Sequence, residues 1–432
     1  MRPCRWVGVG SGVMLWLAHL AAGVSAATAT EAPVNITLQQ AVSEALVGNP
    51  SLAVERRDVD IAKGIRRQAG IYPFNPELEA EGGAGRARDR VDKDDRRGVD
   101  AKSVGLSQTI WLQGQRGIRV RGADAGLLRA TRSVQDAERQ VVADVLKAYG
   151  DLLLSQERLG LAQEILGVVQ NVRGAAQKLF EADAVPELDV FRADVEVRKA
   201  ENRVVSEERG LATARRELAL LIGRAVADPL RAVASSPVLP PSGNLEALRS
   251  QALGARPDLT AALAAVDAAR AEVDLVRAER FLPEIKVGVK YESAREFDSI
   301  SHSGFLTLSV PLPLWNRRDG DLDRARAEVA KNQAQVELTR RRIEKEISIA
   351  VQQVDASRQI VDRYGRSILP QQERNFGLLR EAYTIGEIRI TDVFVGQREF
   401  IESREAYLEA VSTFNAATAD LYRALNARPS GG

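Results

Sequence analysis

Residues Asp189–Leu221 have the sequence DVFRADVEVRKAENRVVSEERGLATARRELALL. A second version of it, DVFVGQREFIESREAYLEAVSTFNAATADLYRA, occupies residues Asp392–Ala424. In the first stretch every seventh residue from Val190 to Leu218 is apolar, and most residues three places after these are small. This spacing predicts a closely packed coiled-coil helix. Because the spacing recurs after a shift of 203 residues, we infer that one helix was built twice.

The duplication extends over most of the chain. Asn49-Pro50 recurs as Arg256-Pro257 with a shift of 207 residues, and Leu106-Ser107 recurs as Leu308-Ser309 with a shift of 202. We attribute the small changes of shift to residues gained or lost in loops. The predicted units are a first repeat over 27–228, a Pro- and Ser-rich linker over 229–243, a second repeat over 244–427 and a disordered tail over 428–432. Each repeat is predicted to contain helices, two strands and a long helical hairpin.

The N-terminus has the pattern of a secretory signal peptide, predicted over residues 1–26. Arg2 and Arg5 form its basic end, residues 7–24 its apolar core, and Val24-Ser25-Ala26 its cleavage site. Removing it would also remove the single cysteine, Cys4, and both methionines, Met1 and Met14, and would leave one histidine, His302. A chain without cysteine or methionine cannot build a Cys/His zinc site or a Met-rich copper site. We therefore predict no metal site and no cofactor.

The charges are balanced, with 60 Lys and Arg against 59 Asp and Glu. This balance argues against a nucleic-acid partner, which would require a basic stripe. Aromatic residues make up 5% of the chain and charged residues 28%. That composition suits long exposed helices better than a thick globular core.

Proline-free helical spacing runs from Arg116 to Glu181, and its copy runs from Asp321 to about Thr384. Pro370 lies inside the copy at the position of Gly167, which predicts a shared bend. Strands are predicted over 78–85, 104–110, 285–291 and 305–310, and residues 86–100 are predicted to be a polar loop. Apolar residues alternate with polar ones in these strands. Two interpretations remain open: a half-buried antiparallel sheet, or a barrel wall with lipid outside and water inside.

Four strands cannot close a barrel, and open edges are not tolerated in lipid. If the sheet lies in a membrane, several chains must therefore close it together. Three chains would supply twelve strands, an allowed size.

The chain resembles the TolC-like outer-membrane efflux protein family over nearly all of its predicted mature length. The resemblance rests on the duplication, on Leu38, Ala45-Leu46 and Asn49-Pro50 at the start, and on the turn Tyr383-Thr384-Ile385-Gly386 followed by Asp392-Val393. The stretch Val310-Pro311-Leu312-Pro313-Leu314-Trp315-Asn316-Arg317, followed by Gly320, is similar to the cobalt–zinc–cadmium (CzcC-type) branch. The resemblance implies a mostly α, α+β fold with internally duplicated coiled-coil hairpins and four antiparallel strands per chain.

It also implies a homotrimer that closes a twelve-stranded barrel in outer-membrane lipid and an α-helical barrel in the periplasm of a Gram-negative bacterium. The implied partners are a periplasmic membrane-fusion adaptor and an inner-membrane pump of the RND class. The implied function is a passive, gated exit duct for heavy-metal cations. The alternatives are a duct for multidrug efflux or type I secretion, and a soluble periplasmic coiled-coil adaptor. No catalytic set can be assembled around His302, so no enzyme activity is predicted.

Four residues are candidates for a periplasmic gate, because the resemblance places them where the helical tube narrows. Tyr383 and Asp189 match a tyrosine and an aspartate that hold the aperture closed in the family, Asp392 matches a ring aspartate, and Arg389 lies beside the position of a locking arginine. The chain departs from the family pattern at three positions, which are Val395, Ile388 and Asp183. The alternative roles are helix capping for the two aspartates and simple packing for the tyrosine.

Trp111 and Trp315 follow the last strand of each repeat. They are candidates for an aromatic belt at a membrane–water boundary. Core packing where the sheet joins the helices is the alternative role.

Overall fold

The computed structural model describes residues 34–88, 96–233, 240–241, 243–281, 284–296 and 299–428. The predicted signal peptide lies outside this range, as do residues 429–432 of the predicted tail. The helices are α1 (Leu38–Gly48), α2 (Pro50–Gly70), α3 (Gln115–Glu181), α4 (Glu187–Ile222), α5 (Leu245–Ala255), α6 (Pro257–Ala278), α7 (Asp319–Arg363), α8 (Leu369–Thr384) and α9 (Ile390–Leu425). The strands are β1 (Val34–Ile36), β2 (Glu77–Arg88), β3 (Arg96–Trp111), β4 (Leu230–Ala232), β5 (Glu284–Glu296) and β6 (Ser299–Ser309).

The first helices begin where the sequence supplies caps. Thr37 and Gln40 form a capping box at the start of α1. Asn49 then caps α2, because its side-chain oxygen accepts from the backbone N–H groups of Ser51 and Leu52. Pro50 follows as the first helical residue, where its missing N–H costs nothing.

Strands β2, β3, β5 and β6 form one antiparallel sheet in the order β2-β3-β5-β6. The predicted polar loop over 86–100 is wrong for much of its length, because β2 extends to Arg88 and β3 begins at Arg96. His302 lies in β6 opposite Ser293. The fold class is confirmed as mostly helical with four antiparallel strands in one sheet.

The sheet has one apolar and one polar face, because successive strand residues point to opposite sides. Leu78, Leu106, Val289 and Leu306 lie on the apolar face and are exposed. On the other face the Lys286 ammonium group lies 2.7 Å from a carboxylate oxygen of Glu77 and 2.9 Å from one of Glu79. Lys290 lies 3.0 Å from Glu81 on the same face.

One strand of a second, small sheet, β4, lies within the segment that composition predicted as a linker. Strand β4 pairs in parallel with β1. Tyr149 of α3 donates its hydroxyl to the carbonyl oxygen of Val233 at 2.7 Å, and its ring is buried in the core beneath this sheet. The small sheet therefore ties the beginning of the first repeat to its end.

The two long hairpins differ by one residue, and the difference lies inside a helix. The buried residues Val141, Val145, Ala148 and Leu152 of α3 match Ile343, Ile347, Ala350 and Val354 of α7 with a shift of 202. At the hairpin tips, Asp183 and Gly386 both have positive φ and match with a shift of 203. A π-helical turn, Tyr364–Ile368, lies between these points and takes up the extra residue. Our attribution of the shift changes to loops is therefore wrong for this one.

Pro370 follows this π-helical turn as the second residue of α8. Proline cannot donate a backbone hydrogen bond, so a departure from α geometry just before it has a physical reason. The helix α3 remains α-helical through Gly167. The departure from α geometry is therefore present in one hairpin only, and the predicted shared bend stays a prediction.

Packing between helices leaves open edges. In the half of the helical body near the large sheet, α2 packs on α3, α3 on α6 and α6 on α7, so α2 and α7 lie at opposite ends of the row. In the half near the hairpin tips, α4 packs on α3, α3 on α9, and α9 on α7 and α8. Strands β2 and β6 are the two edges of the large sheet. Among the described residues, no helix is both long enough and apolar enough to cross a membrane.

Candidate functional site at the hairpin tips

The two hairpin tips pack together around one apolar cluster. The cluster joins α3 and α4 to α8 and α9, and its largest buried members are Leu161, Ile165, Phe376, Tyr383, Ile390 and Phe400. The rings of Phe376 and Phe400 stack with their centroids 5.3 Å apart. The candidate gate residues lie in or beside this cluster.

Tyr383, near the end of α8, is 1% exposed. Its hydroxyl group is buried and has no hydrogen-bond partner among the described residues. Burial, together with the nearby negative charge of Asp189, raises the pKa of Tyr383 to about 12. The side chain therefore acts mainly as a buried ring.

Asp189 is a buried residue in the first turn of α4. Its carboxylate accepts from Arg192 at 3.4 Å. It does not occupy the cap position itself, which is Pro186, and it makes no side-chain capping bond. The structure thus brings Asp189 of the first hairpin close to Tyr383 of the second.

Arg389 and Asp392 form a separate pair at the start of α9. The Asp392 carboxylate accepts from the backbone N–H of Arg389 at 3.3 Å, and the two charged groups lie 3.7 Å apart. Asp392 therefore satisfies a free N–H group at the helix start, although it is the third helical residue and not the cap. The four candidate residues form two pairs and not one cluster.

Sequence reasoning missed how closely α8 and α9 approach each other here. A Cβ atom at Gly396 would collide with the end of the Leu379 side chain, so a larger residue here requires that side chain to move. Gln397 is buried beside it, and its side-chain oxygen has no hydrogen-bond partner among the described residues. The available signal was the heptad pattern itself, because Gly396 falls at one of its small positions.

The two tryptophans have different surroundings. Trp111 is half-buried and makes edge contacts with the rings of Tyr72 and Phe74, at centroid distances of 5.5 and 5.6 Å. The guanidinium of Arg119 lies 4.7 Å from its ring centre. Trp315 is 91% exposed and lies between β6 and α7.

Across the described residues, no group of three or more His, Cys, Asp or Glu side chains is placed to hold a metal ion. His302 contacts Tyr291, with 2.7 Å between the ring nitrogen and the phenol oxygen. The charged groups of the tips could attract or repel a passing ion, but their arrangement offers no chelating set.

Solved structures of outer-membrane proteins share this fold. CusC, described as forming a transmembrane channel, matches with a TM-score of 0.73 and 20% identity, covering 91% of this chain and 92% of that one. The outer membrane protein VceC of Vibrio cholerae matches with a TM-score of 0.72 and 20% identity, covering 91% and 97%.

A curated relative is also similar over nearly the whole length. The cobalt-zinc-cadmium resistance protein CzcC of Cupriavidus metallidurans is 25% identical over 389 residues, which is 90% of each chain. The model of the outer membrane efflux protein family matches residues 41–224 and 248–427, one segment in each repeat. The chain therefore belongs to the outer membrane efflux protein family, and it is an outer-membrane channel component that extends into the periplasm, not an enzyme.

Proposed function

We propose that three copies of this chain form a gated outer-membrane duct that releases heavy-metal cations of the cobalt, zinc and cadmium type. The similarity to CzcC over 90% of both chains carries the metal assignment. The absence of a chelating set among the described residues fits a duct, because a pore must let its ion leave.

The open edges support assembly into a ring. Each copy presents β2 and α2 on one side and β6 and α7 on the other. Joining unlike edges around an axis is a head-to-tail contact, which closes when the rotation fits a whole number of copies. Three copies supply twelve strands, which is an even number within the range of bacterial outer-membrane barrels.

The two faces of the sheet support its orientation. The exposed apolar face carries Leu78, Leu106 and Leu306, which suits contact with lipid. The opposite face carries Glu77, Glu79 and Lys286, and the Lys286 ammonium group donates to both carboxylates. In a closed barrel this polar face would line the lumen.

The packing at the hairpin tips supports a gate at the periplasmic end. Tyr383 fills the apolar cluster between the two hairpins, and Asp189 adds a buried negative charge beside it. In this proposal the gate opens when the α8–α9 hairpin moves away from α4, which would expose both side chains. Asp392 and Arg389 would surround the axis as a ring of paired charges.

The proposed partners are a periplasmic membrane-fusion adaptor and an inner-membrane RND pump, which would supply the energy and select the ion. The long helical hairpins, which place the tips far from the sheet, support this arrangement. At about 1.5 Å per residue, a helix as long as α3 spans roughly 100 Å.

Deleting the gene in its host tests the metal assignment. We expect growth to become sensitive to some of zinc, cadmium, cobalt, nickel and copper, and to be restored by the cloned gene. Unrelated drugs and detergents serve as the comparison set. Sensitivity to drugs with normal metal tolerance would move the duct to multidrug efflux, and unchanged growth in every condition would remove the main support for metal export.

A further inference from the structure

The duplication specifies how one copy of the chain should contact the next. Within the chain, α3 packs on α6. Its copy α7 lies at one end of the row of helices near the large sheet, and α2, the copy of α6, lies at the other end. We propose that α7 packs on α2 of the partner subunit in the register in which α3 packs on α6, and that Asp323 pairs with Arg67 of the partner subunit. This inference rests on the proposed ring.

Buried residues fix the two shifts that define this register. The core residues Val141 and Val145 of α3 correspond to Ile343 and Ile347 of α7, a shift of 202. The caps and first prolines of α2 and α6, followed by the buried Leu52 and Leu259, correspond with a shift of 207. Neither pair of helices contains an irregular turn within the compared segments, so each shift applies along the helix.

The α3–α6 contact contains a charge pair that the shifts translate into a contact between subunits. Arg121 of α3 and Asp274 of α6 have their charged groups 3.7 Å apart. The corresponding residues are Asp323 on α7 and Arg67 on α2. Both charges are reversed, so opposite charges would again face each other.

Both residues are available for this contact. The Asp323 side chain is 76% exposed and lies 3.6 Å from Arg326 on its own helix. Arg67 is exposed in the last turn of α2 and has no ion pair with the described residues. The neighbouring Arg66, in contrast, is bonded to Asp124 of α3 at 2.9 Å.

The reversal also opposes incorrect pairing. If α7 took the place of α3 on α6, Asp323 would face Asp274, and if α3 packed on α2 of the partner subunit, Arg121 would face Arg67. Like charges at one contact disfavour that partner. The charges therefore favour a ring in which the α3–α6 contact within each subunit alternates with the α7–α2 contact between subunits.

Exposed apolar residues continue the same face of α7. Leu338, Ile349 and Ile360 recur every eleven residues, about three helical turns, and are 52%, 40% and 48% exposed. In α3 the matching positions of the last two hold Lys147 and Arg158, which pair with Asp420 and Glu409 of α9. Apolar residues at these positions of α7 suit burial against another copy.

The shifts between the repeats also identify the residues of the partner subunit that these apolar side chains would contact. By these shifts, Leu338 and Val54 of the partner subunit take the places of Asp136 and Ala261, which line one cavity. With the shift of 203 that relates α4 to α9, the Arg158–Glu409 pair becomes Ile360 against Ser206 of the partner subunit, one residue from Val205 of the partner subunit. Val54 and Val205 are exposed in the single chain. The proposed contact thus has one ion pair near the sheet and an apolar strip along the rest of α7.

Paired cysteines test the register. In a chain with Cys4 replaced by serine, we would introduce Arg67→Cys and Asp323→Cys and treat membranes with a short bifunctional thiol reagent. We expect conversion of monomers into covalent dimers and trimers on a denaturing gel. The matched control is Arg66→Cys with Asp323→Cys, because Arg66 is the next residue and points towards α3. We expect that pair to remain monomeric.

A charge exchange provides an independent measurement. Arg67→Asp should lower the temperature at which the assembled protein dissociates, and Arg67→Asp with Asp323→Arg should restore it. Assembled protein that cross-links through the control pair but not through 67 and 323 would overturn the register and leave the duct standing. A chain that stays monomeric in detergent and in membranes would overturn both the register and the proposed duct.

Discussion

Tyr383 shows what a single buried residue contributes to the hairpin tips. Its hydroxyl has no partner among the described residues, whereas its ring fills the cluster between the hairpins. We expect Tyr383→Phe to change the free energy of unfolding by no more than about 1 kcal/mol, and Tyr383→Ala to lower it by about 3–5 kcal/mol through the cavity it leaves. Denaturant unfolding of the protein in detergent measures both.

The pH dependence of Tyr383 has a defined sign. Its pKa is raised to about 12 by burial and by Asp189, so the folded state keeps the proton longer than the unfolded state does. The resulting stability is complete below the ordinary tyrosine pKa of about 10 and is lost as pH rises from there towards 12. Tyr383→Phe should reduce this alkaline loss. If the Phe variant loses as much stability between about pH 10 and about pH 12 as the natural chain does, then the Tyr383 hydroxyl does not carry the alkaline loss.

Arg256 links the junction between α5 and α6 to α7. It is 2% exposed and donates to Asp258 at 2.6 and 3.0 Å and to Glu346 at 2.5 Å. We expect Arg256→Met to lower the free energy of unfolding by about 3–5 kcal/mol at neutral pH, because two carboxylates lose their partner. Arg270→Met on the exposed face of α6 is the control and should cost about 1 kcal/mol or less.

Acid should reduce the difference in the free energy of unfolding between the natural chain and the Arg256→Met variant. Burial alone would raise the pKa of Asp258, but the hydrogen bonds from Arg256 outweigh burial and lower it. The natural chain therefore loses this contribution as pH falls from about 4 through the lowered pKa. Arg256→Met has no such contribution to lose, so urea unfolding at about pH 3 and about pH 7 should show a smaller difference in the free energy of unfolding at the lower pH. An equal gap at both values would place the cost in packing alone.

At the level of elements, Gly396 lets α8 and α9 approach closely. An added methyl group would meet Leu379, so we expect Gly396→Ala to destabilise the hairpin by about 1–3 kcal/mol through overpacking. Leu379→Ala in the same chain should recover part of the loss, which a double-mutant cycle measures. Gly377, where a Cβ atom would meet no neighbour within 4 Å, is the control position. Additive effects of the two substitutions would argue against the contact.

Sequence alone predicted most elements because each element occurs once in each half of the chain. Each uncertain strand or turn in one half had a second version in the other. The π-helical turn Tyr364–Ile368 could not be predicted, because one extra residue in a helix leaves the same offset as one in a loop. Strand β4 was missed because three residues in a Pro-rich segment carry no period. At the tips, the family resemblance gave the candidates, and the packing shows that Tyr383 is buried in one cluster with residues of the first hairpin.

At the scale of the whole molecule, the polar face of the sheet should set the charge selectivity of the assembled duct. Glu77, Glu79 and Glu81 of β2 share this face with Lys286 and Lys290 of β5. Repeated around a closed ring, an excess of carboxylates over ammonium groups lowers the energy of cations in the lumen and favours their passage.

We therefore expect the reconstituted channel to prefer potassium over chloride, with the zero-current potential across a salt gradient as the measurement. Glu79→Gln with Glu81→Gln should reduce that preference, and Lys286→Gln should increase it, because each changes the balance on the lumen face. Lys102→Gln is the matched control, since Lys102 lies on the opposite face of β3. If Lys102→Gln shifts the potential while the glutamate changes do not, the sheet is oriented with its other face inward, and the proposed lumen assignment fails.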